Sequence, residues 1–150
     1  MSHQVRSRLI LSRIYDVPVE RVWRAWTEPA ELAQWYVAGS DHVVHFCEAD
    51  VRPGGTYRIG FAPPGKTPYI ETGTYGEVVP LKRLAFEETV SYMGKALHTC
   101  ATLVEMRDLG GRTELVITAS GTDSWRTGEG WTPAMESLAR HLEAGEREAG

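Results

Sequence analysis

Most of the chain alternates apolar and polar residues, a pattern that is typical of strands with one buried face. The clearest example is Thr56 to Phe61, in which Tyr57, Ile59 and Phe61 share one side. Clusters of Gly, Pro and Asp separate such segments, as turns require. The pattern predicts seven strands, over Arg8 to Tyr15, His42 to Val51, Thr56 to Phe61, Tyr69 to Val79, Arg83 to Ser91, Leu97 to Met106 and Thr113 to Ala119.

Three further segments carry helical signals. Pro18 opens the first, because proline fixes φ and needs no hydrogen-bond donor in the first turn of a helix. A second short helix is predicted from Ala30 to about Trp35. The last lies within Gly130 to Leu142, where apolar residues recur at offsets 0, 4, 7 and 11 on one helical face, namely Trp131, Met135, Leu138 and Leu142.

The start of the last helix has two interpretations, because Pro133 lies close to it. The helix begins either at Thr132 with the proline in its first turn, or near Ser124 with the proline bending it. In the first case the loop Gly121 to Gly130 would border the mouth of any cavity and act as its gate.

The predicted order is one strand, two short helices, six strands and a final helix, in a single domain over residues 1–150. Strands joined by short turns favour an antiparallel sheet, whose apolar face needs a cover. The amphipathic C-terminal helix is the natural cover. The fold class is therefore α+β, and the functional question is what lies between sheet and helix.

Charge argues against two classes of partner. The chain has 16 Lys and Arg against 20 Asp and Glu, a net charge of -4. Such a surface attracts neither a phosphate backbone nor anionic lipid, so we expect no nucleic-acid and no membrane partner.

The cysteines and the N-terminus predict a cytoplasmic protein. Cys47 and Cys100 lie within predicted strands rather than in a spaced framework, as expected of reduced cysteines. The N-terminal residues lack the apolar segment of a secretion signal, and no apolar run approaches the roughly 20 residues of a membrane span. The edge strands of the sheet offer a surface for a homodimer.

Four stretches together resemble a known superfamily. They are VPVERVWRAWTEPAELAQWY (Val17 to Tyr36), DVRPGGTYR (Asp50 to Arg58), GTYGEVVPLKRLAFEE (Gly73 to Glu88) and GWTPAMESLARHL (Gly130 to Leu142). The chain resembles the helix-grip (SRPBCC) superfamily, which includes START domains and the Bet v 1 type allergens. More closely, it resembles the bacterial branch named after the C-terminal domain of the activator of Hsp90 ATPase.

The resemblance implies a seven-stranded antiparallel sheet curved around a long C-terminal helix, with two short helices after the first strand. Such proteins often keep a cavity for a hydrophobic or amphipathic molecule between sheet and helix. They range from lipid and hormone binders to polyketide cyclases and co-chaperones, so the fold does not fix the function. The full-length co-chaperone has an additional N-terminal domain, for which this chain has no room, and we therefore expect no activation of an Hsp90 ATPase.

If the cavity exists, it is lined by the concave sheet face and the apolar stripe of the last helix. Apolar residues at these spacings are equally expected of a plain hydrophobic core. The predicted lining residues are Trp35, Tyr36, Tyr57, Ile59, Phe61, Tyr75, Phe86, His98, Cys100, Thr102, Leu115, Ile117, Trp131, Met135 and Leu138.

The polar and aromatic members each have two interpretations. His98 either hydrogen-bonds a ligand or acts as a general base, or it is a strand-end histidine in contact with water. Tyr57 and Tyr75 either present hydroxyl groups to a ligand or bond backbone carbonyls. Trp35 and Tyr36 either gate the cavity or plug the open end of the sheet.

Metal and catalytic motifs are weak. His42 and His45 form HxxH, which on a strand points the two rings to opposite faces, and P-loop, GxSxG and GxGxxG motifs are absent. We therefore predict no metal and no cofactor. Strand glutamates are mostly solvated, which is the expectation for Glu71, Glu77, Glu87 and Glu88, although paired carboxylates would serve acid–base chemistry.

The sequence thus predicts a protein that binds a small hydrophobic or amphipathic ligand, without demonstrable catalysis. The first alternative is an enzyme of the cyclase, dehydratase or hydrolase type that uses the same cavity, with His98, Tyr75 or a glutamate as acid or base. The second alternative is a protein-interaction domain like that of the co-chaperone.

Overall fold

The seven predicted strands form one antiparallel sheet, and three helices accompany it in the part of the chain that the structure describes. The computed structural model describes residues 7–37, 39–121 and 131–149, with side chains for 8–37, 39–121 and 131–144. The elements are β1 Ser7–Tyr15, α1 Val19–Thr27, α2 Pro29–Trp35, β2 Val43–Ala49, β3 Thr56–Ala62, β4 Tyr69–Val79, β5 Arg83–Tyr92, β6 Lys95–Asp108, β7 Thr113–Gly121 and α3 Trp131–Ala149.

The strand order in the sheet is β1-β7-β6-β5-β4-β3-β2, so β2 to β7 form a meander and β1 pairs with the last strand. The two short helices carry the chain from one edge of the sheet to the other. This arrangement confirms the predicted helix-grip architecture. The edge strands are β1 and β2, and a homodimer through either edge stays a prediction.

Turn chemistry explains where the observed strands differ from the predicted ones. Met93 and Gly94 both have positive φ, 51° and 83°, and Tyr92 pairs with Lys95 across them. A two-residue hairpin loop of this kind lets both strands run up to the turn. The strand predicted from Leu97 to Met106 therefore extends over Lys95–Asp108.

Two prolines define the short helices. Pro18 caps α1, and Pro29 is the first residue of α2, which therefore starts one residue earlier than the predicted Ala30.

The strand β2 is shorter than the predicted strand His42 to Val51. It ends at Ala49, because the backbone N–H of Asp50 bonds the Thr56 carbonyl 3.0 Å away as the chain turns.

The C-terminal helix α3 buries its predicted stripe. Trp131, Met135, Leu138 and Leu142 are all buried, and the Tyr15 hydroxyl at the end of β1 donates to the Met135 carbonyl 3.3 Å away. Pro133 lies in the first described turn of the helix. The alternative start near Ser124 lies outside the described residues. Of the predicted gate loop, Gly121 to Gly130, only Gly121 is described.

Glu31 on α2 ties the three helices together. Its carboxylate lies 2.5 Å from Arg21 Nη1, 2.9 Å from Arg24 Nε and 2.8 Å from His141 Nε2 on α3. Burial alone raises the pKa of Glu31, but the hydrogen bonds from His141, Arg21 and Arg24 and the charge of Arg21 outweigh it. The pKa is therefore lowered from its ordinary value of 4.5.

The two cysteines form no disulfide and lie far apart. Cys47 is on β2 and Cys100 on β6, with three strands between them. Burial raises the pKa of the Cys47 thiol to about 11, and the neighbouring Glu48 adds to the effect. In the part of the chain that the structure describes, no helix has the length and apolar character needed to cross a membrane. A cytoplasmic location stays a prediction.

Candidate functional site

Two glutamates lie on the buried, concave face of the sheet. The side chain of Glu71 on β4 has 0% of its surface exposed, and Glu88 on β5 has 3%. In the sheet register Glu71 lies opposite Val90, and Glu88 lies opposite Gly73 and Cys100. The register therefore places two carboxyl groups on neighbouring strands under the helices, where charged groups are rarely buried.

Two phenol hydroxyls converge on Glu71. The hydroxyl of Tyr57 on β3 lies 2.7 Å from Glu71 Oε2, and that of Tyr36 at the end of α2 lies 2.8 Å from the same atom. The same hydroxyls are 3.2 Å and 3.5 Å from Glu88 Oε2. Because a phenol has a single proton, the shorter distances indicate that both tyrosines donate to Glu71.

Thr102 on β6 extends the cluster on the other side. Its hydroxyl donates to Glu88 Oε1 over 3.0 Å, and Cys100 Sγ lies 3.7 Å from that hydroxyl. The hydrogen-bonded groups thus run from β6 to α2 across the concave face. We call Tyr36, Tyr57, Glu71, Glu88 and Thr102 the carboxyl cluster.

The position of Tyr57 depends on a glycine. A Cβ atom on Gly73, the paired residue of β4, would overlap the Tyr57 ring. The absence of a side chain there lets the ring lie across the strand, between Tyr75 at 5.2 Å and Phe86 at 5.8 Å between ring centroids. The hydroxyl group then reaches both glutamates.

Tyr36 is held by aromatic side chains. It is the C-cap of α2, and its backbone N–H bonds the Leu32 carbonyl 3.0 Å away. Its ring meets Trp26, Trp35 and Trp131 in edge-to-face contacts with centroid distances of 6.3, 5.3 and 6.0 Å. Such contacts favour a flat ring at this position.

The cluster keeps the Tyr57 phenol neutral. Burial raises the pKa of Tyr57 well above its usual range, and the charges of Glu71 and Glu88 add to the effect. Burial also raises the pKa of the nearby Tyr75. The Tyr57 phenol therefore acts as a hydrogen-bond donor and not as a base.

A small cavity adjoins the cluster. Its volume is about 10 Å³, enough for roughly one water molecule. Tyr36 and Tyr57 belong to both the cavity wall and the carboxyl cluster, so the cavity has aromatic walls and one polar end. Its lining residues are Trp26, Leu32, Tyr36, Tyr57, Ile59, Tyr75, Leu84 and Phe86.

A wider groove lies on the opposite, outer face of the sheet. Its walls include Arg58, Thr72, Thr74 and Glu87, which are exposed and polar. An open polar groove of this kind does not enclose apolar surface, so it does not fit the predicted ligand.

The predicted lining residues fall into three groups. Five of them, Tyr36, Tyr57, Ile59, Tyr75 and Phe86, border the cavity, which also includes Leu84 from the same face of its strand as Phe86, and Trp26 and Leu32 from the helices. His98 is half-buried on β6 opposite Val90 and does not border it. The remaining nine are buried in the surrounding core, namely Trp35, Phe61, Cys100, Thr102, Leu115, Ile117, Trp131, Met135 and Leu138.

Trp35 and Tyr36, which the sequence treats alike, differ in the structure. The Trp35 indole N–H donates to the Ala25 carbonyl 2.8 Å away and joins α2 to α1. The Tyr36 hydroxyl instead donates to Glu71 within the carboxyl cluster. Trp35 is therefore part of the helix junction, and Tyr36 is the residue that borders the cavity.

The expectation that the strand glutamates are solvated is wrong for two of the four. Glu77 and Glu87 are exposed, whereas Glu71 and Glu88 are buried. A signal was available in the sequence, because Glu71 is in phase with Tyr75 on β4 and Glu88 is in phase with Leu84 and Phe86 on β5. The phase of a strand thus outweighs the usual preference of a charged residue for water.

The histidine pair does not form a chelate. The His42 ring stacks on Phe61 and Tyr69, with centroid distances of 5.8 and 6.3 Å, while His45 is exposed. Over the side chains of residues 8–37, 39–121 and 131–144, no group of three His, Cys, Asp or Glu could hold a metal ion.

Comparisons with solved structures identify the fold. A protein from Nitrosomonas europaea is 26% identical, with a TM-score of 0.77, and the match covers 94% of this chain and 97% of that one. A protein from Chromobacterium violaceum is also 26% identical, with a TM-score of 0.77, over 91% of this chain and 97% of that one. DynU16, a protein of the dynemicin biosynthetic locus, shares the fold at 23% identity and a TM-score of 0.71, over 93% of this chain and 48% of that one.

Comparisons of sequence identify the family. No protein with a curated description matches the chain significantly. The sequence profile described as "Activator of Hsp90 ATPase homolog 1-like protein" matches residues 16–143, which include all the elements from α1 to β7 and the first part of α3. The family fold supports a ligand-binding or co-chaperone-like domain. The chain therefore belongs to the family of activator of Hsp90 ATPase homolog 1-like proteins.

Proposed function

We propose that this protein binds a small amphipathic molecule between the concave face of the sheet and the helices. The apolar part of the ligand contacts the aromatic walls, and its polar group reaches the carboxyl cluster. The observation that carries the proposal is the double role of Tyr36 and Tyr57, whose rings line the cavity and whose hydroxyls bond Glu71.

Stability alone does not account for the carboxyl cluster. Burying a carboxyl group has a desolvation penalty that hydrogen bonds only partly offset, and apolar residues of similar volume often serve a fold equally well. A mostly apolar pocket with a few convergent polar groups is typical of a ligand site. The position of Glu71 and Glu88 beside aromatic walls matches that description.

Ligand binding requires the cavity to expand. Its volume of about 10 Å³ holds one water molecule, whereas pockets for small organic ligands typically measure about 300 to 1,000 Å³. The sheet strands are fixed by their ladders, but Leu32 and Tyr36 are carried by α2, a helix of 7 residues. We therefore assign the expansion to movement of α2 away from the sheet.

The test begins with native mass spectrometry of freshly purified protein, in which we expect a bound small molecule. A neutral solvatochromic naphthalene probe such as Prodan should then bind, and the extracted molecule should displace it. Glu71→Gln should weaken binding of the extracted molecule about tenfold, because an amide replaces the carboxyl group that bonds the polar end of the ligand. The matched control Glu87→Gln, on the outer face, should leave affinity unchanged.

The same measurements can refute the proposal. If the mass spectrum contains only the bare chain and the probe does not bind at millimolar concentration, the protein is not a binder of this kind. If Glu71→Gln and Glu87→Gln bind the extracted molecule equally well, the carboxyl cluster is not part of its site.

A second candidate function, acid–base catalysis on the bound molecule, is favoured by one observation. The Tyr57 hydroxyl lies within 2.7 and 3.2 Å of two carboxyl groups, distances at which a proton can pass between them. This arrangement favours the glutamates over His98 or Tyr75 as acid and base. Deuterium uptake from D₂O at the α-carbon of 2-tetralone tests it, and equal uptake with and without protein would exclude this reaction for that ketone class.

A further inference from the structure

The carboxyl cluster already holds two phenol groups, which belong to the chain itself. Tyr36 and Tyr57 place their hydroxyls 2.8 and 2.7 Å from one oxygen of Glu71. The site therefore displays the chemistry that it accommodates, a flat ring with a hydroxyl that donates to a carboxyl oxygen.

The surroundings of the Tyr36 ring are specific for an aromatic group. Trp26 and Trp131 lie at interplanar angles of 83° and 88° to it, and Trp35 at 63°. Edge-to-face contacts of this kind stabilise a ring more than an alkyl chain of the same area. An aliphatic ligand would leave these contacts unmade.

The two tyrosines differ in how firmly the fold holds them. Tyr57 lies near the start of β3, where the backbone pairs with Ala49 of β2 and Gly73 of β4, and its ring fills the space above Gly73. Tyr36 is the C-cap of α2, outside the sheet ladder, with φ -75° and ψ 93°. Moving Tyr57 out of the carboxyl cluster would break strand pairing, whereas moving Tyr36 out requires the displacement of only one short helix.

We propose that the ligand is a hydroxyaromatic compound whose phenol group replaces the Tyr36 hydroxyl on Glu71, so that Tyr36 acts as a competing internal ligand. This inference rests on the proposed function, because it names the ligand class of the same cavity. The ligand ring takes the place of the Tyr36 ring between the tryptophans, and Tyr57 stays in position as the second donor.

The chemistry of the cluster favours a neutral donor. A phenol is protonated at neutral pH, since its ordinary pKa is about 10. The cluster keeps phenols protonated, because burial and the two glutamates raise the pKa of Tyr57. A carboxyl head would add a third acid group beside Glu71 and Glu88, whereas a phenol supplies a hydrogen-bond donor to their oxygens.

The test compares 2-naphthol with 2-methoxynaphthalene by calorimetric titration of the wild-type protein. The two probes share a ring system, but only the first has a donor. We expect 2-naphthol to bind at least about tenfold more tightly, and Glu71→Gln to reduce that ratio several-fold. Tyr36→Phe removes the competing hydroxyl, and both probes displace the same ring, so this variant should bind 2-naphthol and 2-methoxynaphthalene several-fold more tightly than the wild-type protein does.

A complementation experiment gives a second measurement. Tyr36→Ala removes a side chain whose shape is that of p-cresol, so p-cresol should raise the Tm of this variant more than toluene, which lacks the hydroxyl. If this variant does not fold, the titrations of the wild-type protein and of Tyr36→Phe decide the question.

The outcomes separate this inference from the proposed function. If both naphthalenes bind wild-type protein equally, the cavity binds ligands but the phenol preference is wrong. If Tyr36→Phe weakens the binding of 2-naphthol, or if p-cresol and toluene raise the Tm of Tyr36→Ala equally, Tyr36 is not a competing ligand. If neither naphthalene nor Prodan binds, the proposed function fails and this inference fails with it.

Discussion

The hydroxyl of Tyr57 should contribute measurably to folding, and its removal tests the carboxyl cluster directly. Tyr57→Phe deletes one oxygen atom and leaves the ring in the space above Gly73. The deletion removes the donor that lies 2.7 Å from Glu71 and 3.2 Å from Glu88. Both carboxyl groups stay buried, so water does not readily replace the lost donor.

The expected loss of stability follows from that burial. Removing one partner of a buried hydrogen bond has a cost of about 1 to 3 kcal/mol, because the remaining polar group keeps its desolvation penalty. For a domain of this size, 1 kcal/mol shifts Tm by about 2 to 4 °C. We therefore expect Tyr57→Phe to lower Tm by roughly 2 to 12 °C.

Tyr75→Phe is the matched control. Tyr75 is a buried tyrosine on the adjacent strand, 5.2 Å from Tyr57 between ring centroids, and no hydrogen bond joins its hydroxyl to Glu71 or Glu88. The control should lose less stability than Tyr57→Phe, because it leaves neither Glu71 nor Glu88 without a hydrogen-bond donor.

Urea unfolding followed by tryptophan fluorescence provides the assay, and an unchanged slope m shows that only stability has changed. A double-mutant cycle with Glu71→Gln should give a coupling energy of about 0.5 to 3 kcal/mol. Equal stability of Tyr57→Phe and Tyr75→Phe, or a coupling energy of zero, would refute the hydrogen-bond assignment.

Three further predictions concern the sheet, the helices and a thiol. Gly73→Ala should destabilise the protein by about 1 to 3 kcal/mol in urea unfolding, because the new Cβ overlaps the Tyr57 ring. The control is Gly76→Ala, where a Cβ meets only Ala85 at 3.9 Å. Equal stability of the two variants would contradict the prediction. Folding lowers the pKa of Glu31 from 4.5, so the stability that Glu31 contributes is present above that pH and is lost as the pH falls through the folded-state pKa. The difference in stability between the wild-type protein and Glu31→Gln should therefore shrink from pH 6 to pH 3. A constant difference would argue against a role for the ionic contacts of Glu31. The raised pKa of Cys47, about 11, predicts slow alkylation by iodoacetamide at pH 8, with a rate that rises about tenfold per pH unit. The measurement uses a variant that lacks the other cysteine. A rate that levels off below pH 9 would be inconsistent with the raised pKa.

Local patterns determined most of the fold. The alternation over Thr56 to Phe61 predicts a strand, and β3 is Thr56–Ala62. Pro18 and Pro29 mark the starts of α1 and α2. These features are predictable because side-chain period and proline geometry act within a few residues, independently of what the segment later contacts.

The strand phase also indicated part of the site. It placed Tyr57, Ile59, Tyr75 and Phe86 on one face of the sheet, and all four border the cavity. The helical period of Gly130 to Leu142 predicted the helix that covers this face, and the resemblance implied the same helix. Neither source gave the volume of the cavity, since side-chain packing across the interface sets that volume.

Tertiary structure alone decided the carboxyl cluster. Tyr57 and Tyr36 reach Glu71 across separations of 14 and 35 residues. The strand register brings Glu71 and Glu88 together, the missing side chain of Gly73 admits the Tyr57 ring, and the end of α2 delivers Tyr36.

A composition-based expectation fails at this point because it treats each glutamate as if its own preference for water decided its position. The phase of a strand is set jointly by all its residues, and the apolar residues of β4 and β5 hold the two glutamates inside. The sequence by itself thus determined the faces of the strands, whereas only the assembled sheet and helices determined which polar groups meet within them, because hydrogen-bond partners are chosen by distance in space and not along the chain.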